Sequence, residues 1–234
     1  MLPEPEPQVE PRRGLALLAD VLIAPRRAYA SIATTGEWWP AALAIALCTM
    51  LSEALIIPAE LHVASLEGHK VIPLSATTIA LFASRDAVWF LWQVFSWNII
   101  ASLYANFCAA GRPAFALMHR VFFALAANAT LPVAVGAVAF GIAVRLHDPA
   151  SFHTQSQLTN ALPISLALFA DPNNVNEVAF LANFDLTTVW SILLIAFGGR
   201  AIGGIRLSPA LIVPCAVALI WAVVAVLPEV YAAR

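Results

Sequence analysis

Charge is what this chain has least of. Asp, Glu, Lys and Arg make up 11% of its 234 residues, where an ordinary soluble domain carries roughly 25%. The 12 basic and 14 acidic residues leave a formal net charge of −2, too small to argue for a nucleic-acid partner. Cysteine is scarce too. Cys48, Cys108 and Cys215 all fall inside hydrophobic runs, at spacings that suit neither a disulfide framework nor a metal ribbon, and are expected as small buried apolar residues. No serine, cysteine or lysine stands in a nucleophile motif and no Gly-rich phosphate loop is present, so neither an enzyme nor a cofactor is expected. His62, His69, His147 and His153, with Glu67 and Asp148, fall in polar connecting stretches, but without HExxH or comparable spacing they read as loop histidines. The first 20 residues lack a basic n-region followed by an uninterrupted apolar core and a small-residue cleavage site, so targeting is expected from the first membrane helix rather than a signal peptide.

What is there is apolar. Hydrophobic residues make up 61% of the chain and the mean hydropathy is +0.83, the composition of an integral membrane protein. Phe184 to Leu227 reads as two crossings joined by a few residues. Each run is about 20 residues long, enough at about 1.5 Å per residue to span a hydrocarbon core of about 30 Å.

Taken in order, residues 1–13 alternate proline with acidic and polar residues and are expected as a disordered tail. Residues 14–37 are expected as an amphipathic entry segment on the cytoplasmic interface. In it Leu15, Leu17, Leu18, Val21, Leu22 and Ile23 offer an apolar stripe, Asp20 interrupts the other face, and Pro25 breaks the helix beside Arg26 and Arg27. A second short turn, Ala28 to Ala33, leads on. Residues 38–228 then form a membrane domain of five crossings, closed by a short tail at 229–234. The first crossing runs from Trp38 to Pro58, with Trp38 and Trp39 at headgroup level and Pro40 in a first helical position. The second covers Ala87 to Ala110, and the third His119 to Val144, with Pro132 inside it. Two stretches, Leu74 to Ala83 and Leu158 to Ala170, are too short to cross and read as interfacial or re-entrant segments on the outer side.

Orientation follows from the basic residues. With the N-terminus inside, the inner segments hold eight arginines: 12, 13, 26, 27, 112, 120, 200 and 206. The outer segments hold four basic residues, Lys70, Arg85, Arg145 and Arg234. The fold class is therefore an all-α membrane protein, a five-transmembrane-helix bundle with an N-terminal interfacial helix, the N-terminus cytoplasmic and the C-terminus outside. A bacterial inner membrane suits it. No repeat at fixed period appears, and five crossings do not divide into equal inverted halves.

The order of these parts resembles the Yip-one family, the Ypt/Rab-interacting polytopic membrane proteins. ADVLIAPRRAYASI followed by GEWWPAALAIAL carries the resemblance at the front, and FDLTTVWSILLIAFGGRAIGGIRLSPA at the back. It implies a five-helix membrane domain with a cytoplasmic N-terminus, and in eukaryotic members a role in vesicle traffic with prenylated small GTPases as partners. The DLYGP and GYxxxP signatures are absent here, so the chain looks more like the bacterial relatives, for which no functional residues carry over.

Polar groups within the crossings are the candidate functional positions, since an unpaired ionisable group costs a few kcal/mol at mid-membrane. Glu53 faces either the bundle interior as a proton- or ion-contacting group paired with Arg85 or Asn98, or the outer interface as a carboxylate holding two helices together. Arg200, in GGRAIGG, either meets a lipid phosphate or snorkels. Gly199 and Gly203 permit close helix approach, to the last crossing or to a second protomer. Asp185 is placed to cap the fourth crossing, and Ser208 with Pro209 the fifth. Asn98, Asn106 and Asn128, with Arg120 at the inner end of the third crossing, complete the set. Two readings follow. One is a non-enzymatic protein that organises the bilayer or binds protein partners or copies of itself. The other is a small transporter or channel lined by Glu53, Asn98, Asn106 and Asn128.

Overall fold

In the computed structural model, the structure describes residues 13–66, 68, 75–81, 84–85, 88, 115–171, 173–203 and 206–232. Among them every regular element is helical: α1 (Gly14–Ile23), α2 (Pro25–Thr35), α3 (Trp39–Leu66), α4 (Phe115–Leu146), α5 (Gln155–Thr159), α6 (Val175–Ala182), α7 (Leu186–Gly203) and α8 (Leu207–Ala232), with 3-10 turns at Pro149–Ser151 and Leu166–Phe169. Two of these helices are long and apolar enough to cross a membrane: α3, and α4 over Phe123–Leu146. The expected second crossing, with Asn98, Asn106 and Cys108, lies outside the described residues.

α3 and α4 pack side by side and run parallel. Trp38 sets its ring edge-on to Phe123 at 5.0 Å, and Ser52 Oγ donates to the Ala137 carbonyl at 2.7 Å; both pairs are 85 residues apart in sequence, so the register holds along the seam. α7 runs antiparallel to α4. A Cβ on Gly136 would lie 2.6 Å from Thr187 Cγ2 and one on Gly198 would lie 2.0 Å from Leu125 Cδ1, and 136 + 187 equals 125 + 198. Glycine at these two points lets the backbones meet. α8 folds back on α7, and α6 packs on α8.

Several boundaries differ from the sequence reading. α3 does not stop at Pro58 but runs to Leu66 with the proline inside it. Beyond Pro58, Ala59 and Val63 are buried against Val144, Phe152 and Leu158, and that burial offsets the one hydrogen bond a proline removes. α4 begins four residues before His119 and ends at Leu146, enclosing Pro132. Pro40 is the second helical residue rather than the first. α8 starts at Leu207, with the Ala210 N–H bonded to the Arg206 carbonyl, so Ser208 lies inside the helix and is not its cap. Asp185 does cap α7: its Oδ1 accepts from the Thr188 N–H at 2.6 Å and from Thr187 Oγ1 at 2.8 Å. Cys48 is half-buried and Cys215 exposed, rather than both buried.

Leu158 to Ala170 is no continuous helix. After α5 the chain turns, and Ser165 forms an isolated antiparallel bridge with Asp185. In it Leu166 N–H donates to Phe184 O and Leu186 N–H to Ile164 O, each at 3.1 Å. Leu166, Leu168 and Phe169 next to it are exposed, Phe169 by 81%. Residues 76–81 are helical, within the expected short segment.

Candidate functional site at the N-terminal hairpin

The entry segment is built into the bundle over part of its apolar stripe, while Leu15 and Ile23 of that stripe stay exposed. Leu17, Val21, Ala28, Tyr29 and Ile32 form one buried cluster with Ala41 and Ile45 of α3, Ala124 and Leu125 of α4, and Leu194 and Ala196 of α7. α1 and α2 thus make a helical hairpin wedged between the ends of three long helices. The reason is volume: small residues on α4 and α7 leave a gap that the hairpin fills, and filling it removes large apolar side chains from their surroundings.

Charge pins the wedge. Asp20 is only 5% exposed and points at Arg27, whose Nε donates to Oδ2 at 2.9 Å while Nη2 meets Oδ1. The pairing is bidentate, the strong geometry for arginine and carboxylate. That hydrogen bonding, and then the carboxylate charge, raises the Arg27 pKa further above its ordinary value. Pro25 takes the first position of α2, where its missing N–H costs nothing. α2 ends on Gly36, φ +59°, whose N–H returns to the Ile32 carbonyl at 2.8 Å; glycine adopts that left-handed conformation without strain. The Glu37 carboxylate accepts from the Gly14 N–H at 3.3 Å, closing the hairpin on itself.

Asn128 belongs to this junction. It is 1% exposed, and its Nδ2 donates to Glu37 O at 3.2 Å and Ala124 O at 2.8 Å. Its Oδ1 has no partner among the described residues, and neither do the Tyr29 hydroxyl and Ser191 Oγ. Tyr29 is wholly enclosed, and burial pushes its phenol pKa well up. Its Cδ1 lies 3.2 Å from where a Cβ on Gly198 would stand.

The other expected positions do not gather here. Glu53, half-buried on α3, is level with residue 138 in the register of the α3–α4 seam, ten residues beyond Asn128 and so about 15 Å along the axis. Asn128 therefore serves the hairpin and not a cavity shared with Glu53. Arg85 is exposed in the segment between α3 and α4. Arg120 lies in the first turns of α4, its side chain outside the described residues, and Asn98 and Asn106 are outside them altogether. Arg200 is exposed in the last turn of α7, two residues from Gly198, the glycine at the close contact; Gly199 beside it is buried.

At the hairpin end, then, Arg13, Arg26, Arg200 and Arg206 are all exposed, and none has an ion-pair partner among the described residues. The turn between α1 and α2 leaves a shallow, open hollow lined by Ala24, Pro25, Arg26 and Arg27. Such an arrangement can attract anions; among the described residues no group of three or more His, Cys, Asp or Glu could hold a metal. The Asp20–Arg27 pairing is the feature the residues did not disclose beforehand, although seven residues across a proline break is a spacing at which two packed helices can meet. Comparison with family models, curated proteins and solved structures finds no match for this chain.

Proposed function

We propose that this chain is a multi-pass integral membrane protein of the Yip type, non-enzymatic, which organises its membrane or holds a partner through the basic end built on the N-terminal hairpin. One observation carries the reading. Arginines 13, 26, 200 and 206, without an ion-pair partner among the described residues, are exposed at one end of a bundle that also exposes Leu43, Leu47, Leu51, Ile212, Leu219 and Ile220. A basic end on an apolar bundle is the pattern of a protein oriented with that end in the cytoplasm. The resemblance to the Yip-one family in the entry segment and the closing hairpin supports the same assignment.

Crosslinking in intact cells followed by mass spectrometry tests it. A reproducible partner, or a dimer of this chain, linked through residues of the hairpin end is the expected result. An isolated monomer under every condition would overturn the proposal.

A further inference from the structure

α1 is polar on the wrong side for a helix on a water-facing surface. Its one charged residue, Asp20, is turned inward and neutralised by Arg27, while the residues it exposes are Leu15, Ala16, Ala19 and Ile23. Leu15 is 82% exposed and Ile23 78%. No polar side chain interrupts that stripe, so water is a poor neighbour for its whole length of about 15 Å. Both ends of the stripe carry a cation. Arg13 immediately precedes α1, and Arg26 stands three residues after Ile23 beside the shallow hollow at the turn; both are exposed and without an ion-pair partner among the described residues.

We infer that the outer face of α1 is a docking surface for anionic phospholipid, with acyl chain against Leu15, Ala19 and Ile23, one headgroup phosphate held by Arg26 at the hollow and that of a second lipid by Arg13 at the other end. Charge complementarity selects this occupant. A lipid supplies an apolar chain and an anion at adjacent depths, which is what the stripe and its flanking arginines present. Guanidinium groups hold phosphate oxygens with paired N–H donors, and each cation near an anionic leaflet adds about fivefold to binding at low salt. Arg27 is not part of the contact, because Asp20 already occupies it. The inference rests on the membrane residence proposed above and assigns to it a lipid class and a site.

The test uses the full chain, reconstituted in vesicles of phosphatidylcholine alone or with phosphatidylglycerol added, then extracted in mild detergent and weighed by native mass spectrometry. The chain is expected to float with both vesicles and to keep phosphatidylglycerol above its share of the bilayer. Arg26→Gln should cut that enrichment about fivefold and Arg13→Gln with Arg26→Gln should abolish it, while Arg145→Gln at the opposite end leaves it intact. Ile23→Asn, which makes the stripe polar without adding a charge beside Arg26, should lower retention as well. A chain that floats with neither vesicle overturns the membrane reading. One that floats but retains the two lipids in bulk proportion, or whose enrichment survives the double variant, overturns the lipid site alone. So do displacement of the lipid by inorganic phosphate at equal concentration, and a dimer crosslinked through the thiol of an Ile23→Cys variant.

Discussion

Tyr29 shows how a single residue is committed by its surroundings. Its ring packs against Gly198 in the same buried cluster as Leu125, and its hydroxyl, wholly buried, has no partner among the described residues. A buried hydroxyl without a hydrogen bond is unfavourable, so Tyr29→Phe should leave the fold intact and stabilise it by about 1 kcal/mol. The pH dependence follows from burial, which raises the phenol pKa above its ordinary value of 10.0. A folded state that raises a pKa gains stability that is fully present below the ordinary value and is lost as pH rises through it toward the folded value. Thermal melts in detergent should therefore fall above pH 10 for the natural chain, and less steeply for Tyr29→Phe; equal slopes would refute the assignment. Legibility at this scale is uneven. Asp185 as a cap could be read from its place before Leu186, Thr187 and Thr188, because capping depends on neighbours in the chain. The partner of Asp20 could not, because a carboxylate at a helix surface looks the same whether it faces water or a guanidinium seven residues on.

Among the elements, the hairpin and the glycine contacts decide the packing. Gly198 has Leu125 Cδ1 within 2.0 Å of where a Cβ would be, and Leu125 is itself 1% exposed, so it has little room to move aside. Gly198→Ala should cost about 1–3 kcal/mol through overpacking. Adding Leu125→Ala should return part of that loss. The double variant should then be more stable than the sum of the two single changes, measured by denaturation in detergent. Strict additivity would mean that the two residues do not touch. The GGRAIGG run marked this region as small-residue packing, and Gly198 at its start makes the close contact with α4 and α2. The entry segment illustrates a limit. Its apolar stripe and proline break were visible, yet a stripe states only that a face must be covered, not whether lipid or three other helices cover it. Pro58 misled in the opposite direction, because its cost is local and the burial of Ala59 and Val63 that offsets it is not.

The two ends of the molecule differ in charge. Arg13, Arg26, Arg200 and Arg206 share one end, and Arg145 lies at the other with His147, Asp148 and His153, all exposed. If the chain crosses a bilayer as proposed, tags at the N-terminus and in the turn between α7 and α8 should report the same compartment, and a tag after His147 the opposite one. Protease protection in inverted vesicles reads this directly; a tag at the N-terminus on the same side as one after His147 would reverse the proposed arrangement. At this scale, scarcity of charge and the length of the apolar runs were enough to determine that the chain is helical and has segments able to cross a membrane, because hydrophobic length is a one-dimensional property. So was the clustering of arginines before α1, at the start of α2 and around the turn from α7 to α8. Only the tertiary structure decided that the entry helices are a wedge inside the bundle, that Asp20 belongs to Arg27, that Asn128 holds Glu37 and stands apart from Glu53, and that α1 turns a purely apolar face outward. Each of those depends on which surfaces meet across long stretches of chain, and side-chain volume and rotation about a helix axis settle that in three dimensions, where a pattern along the chain carries no record of it.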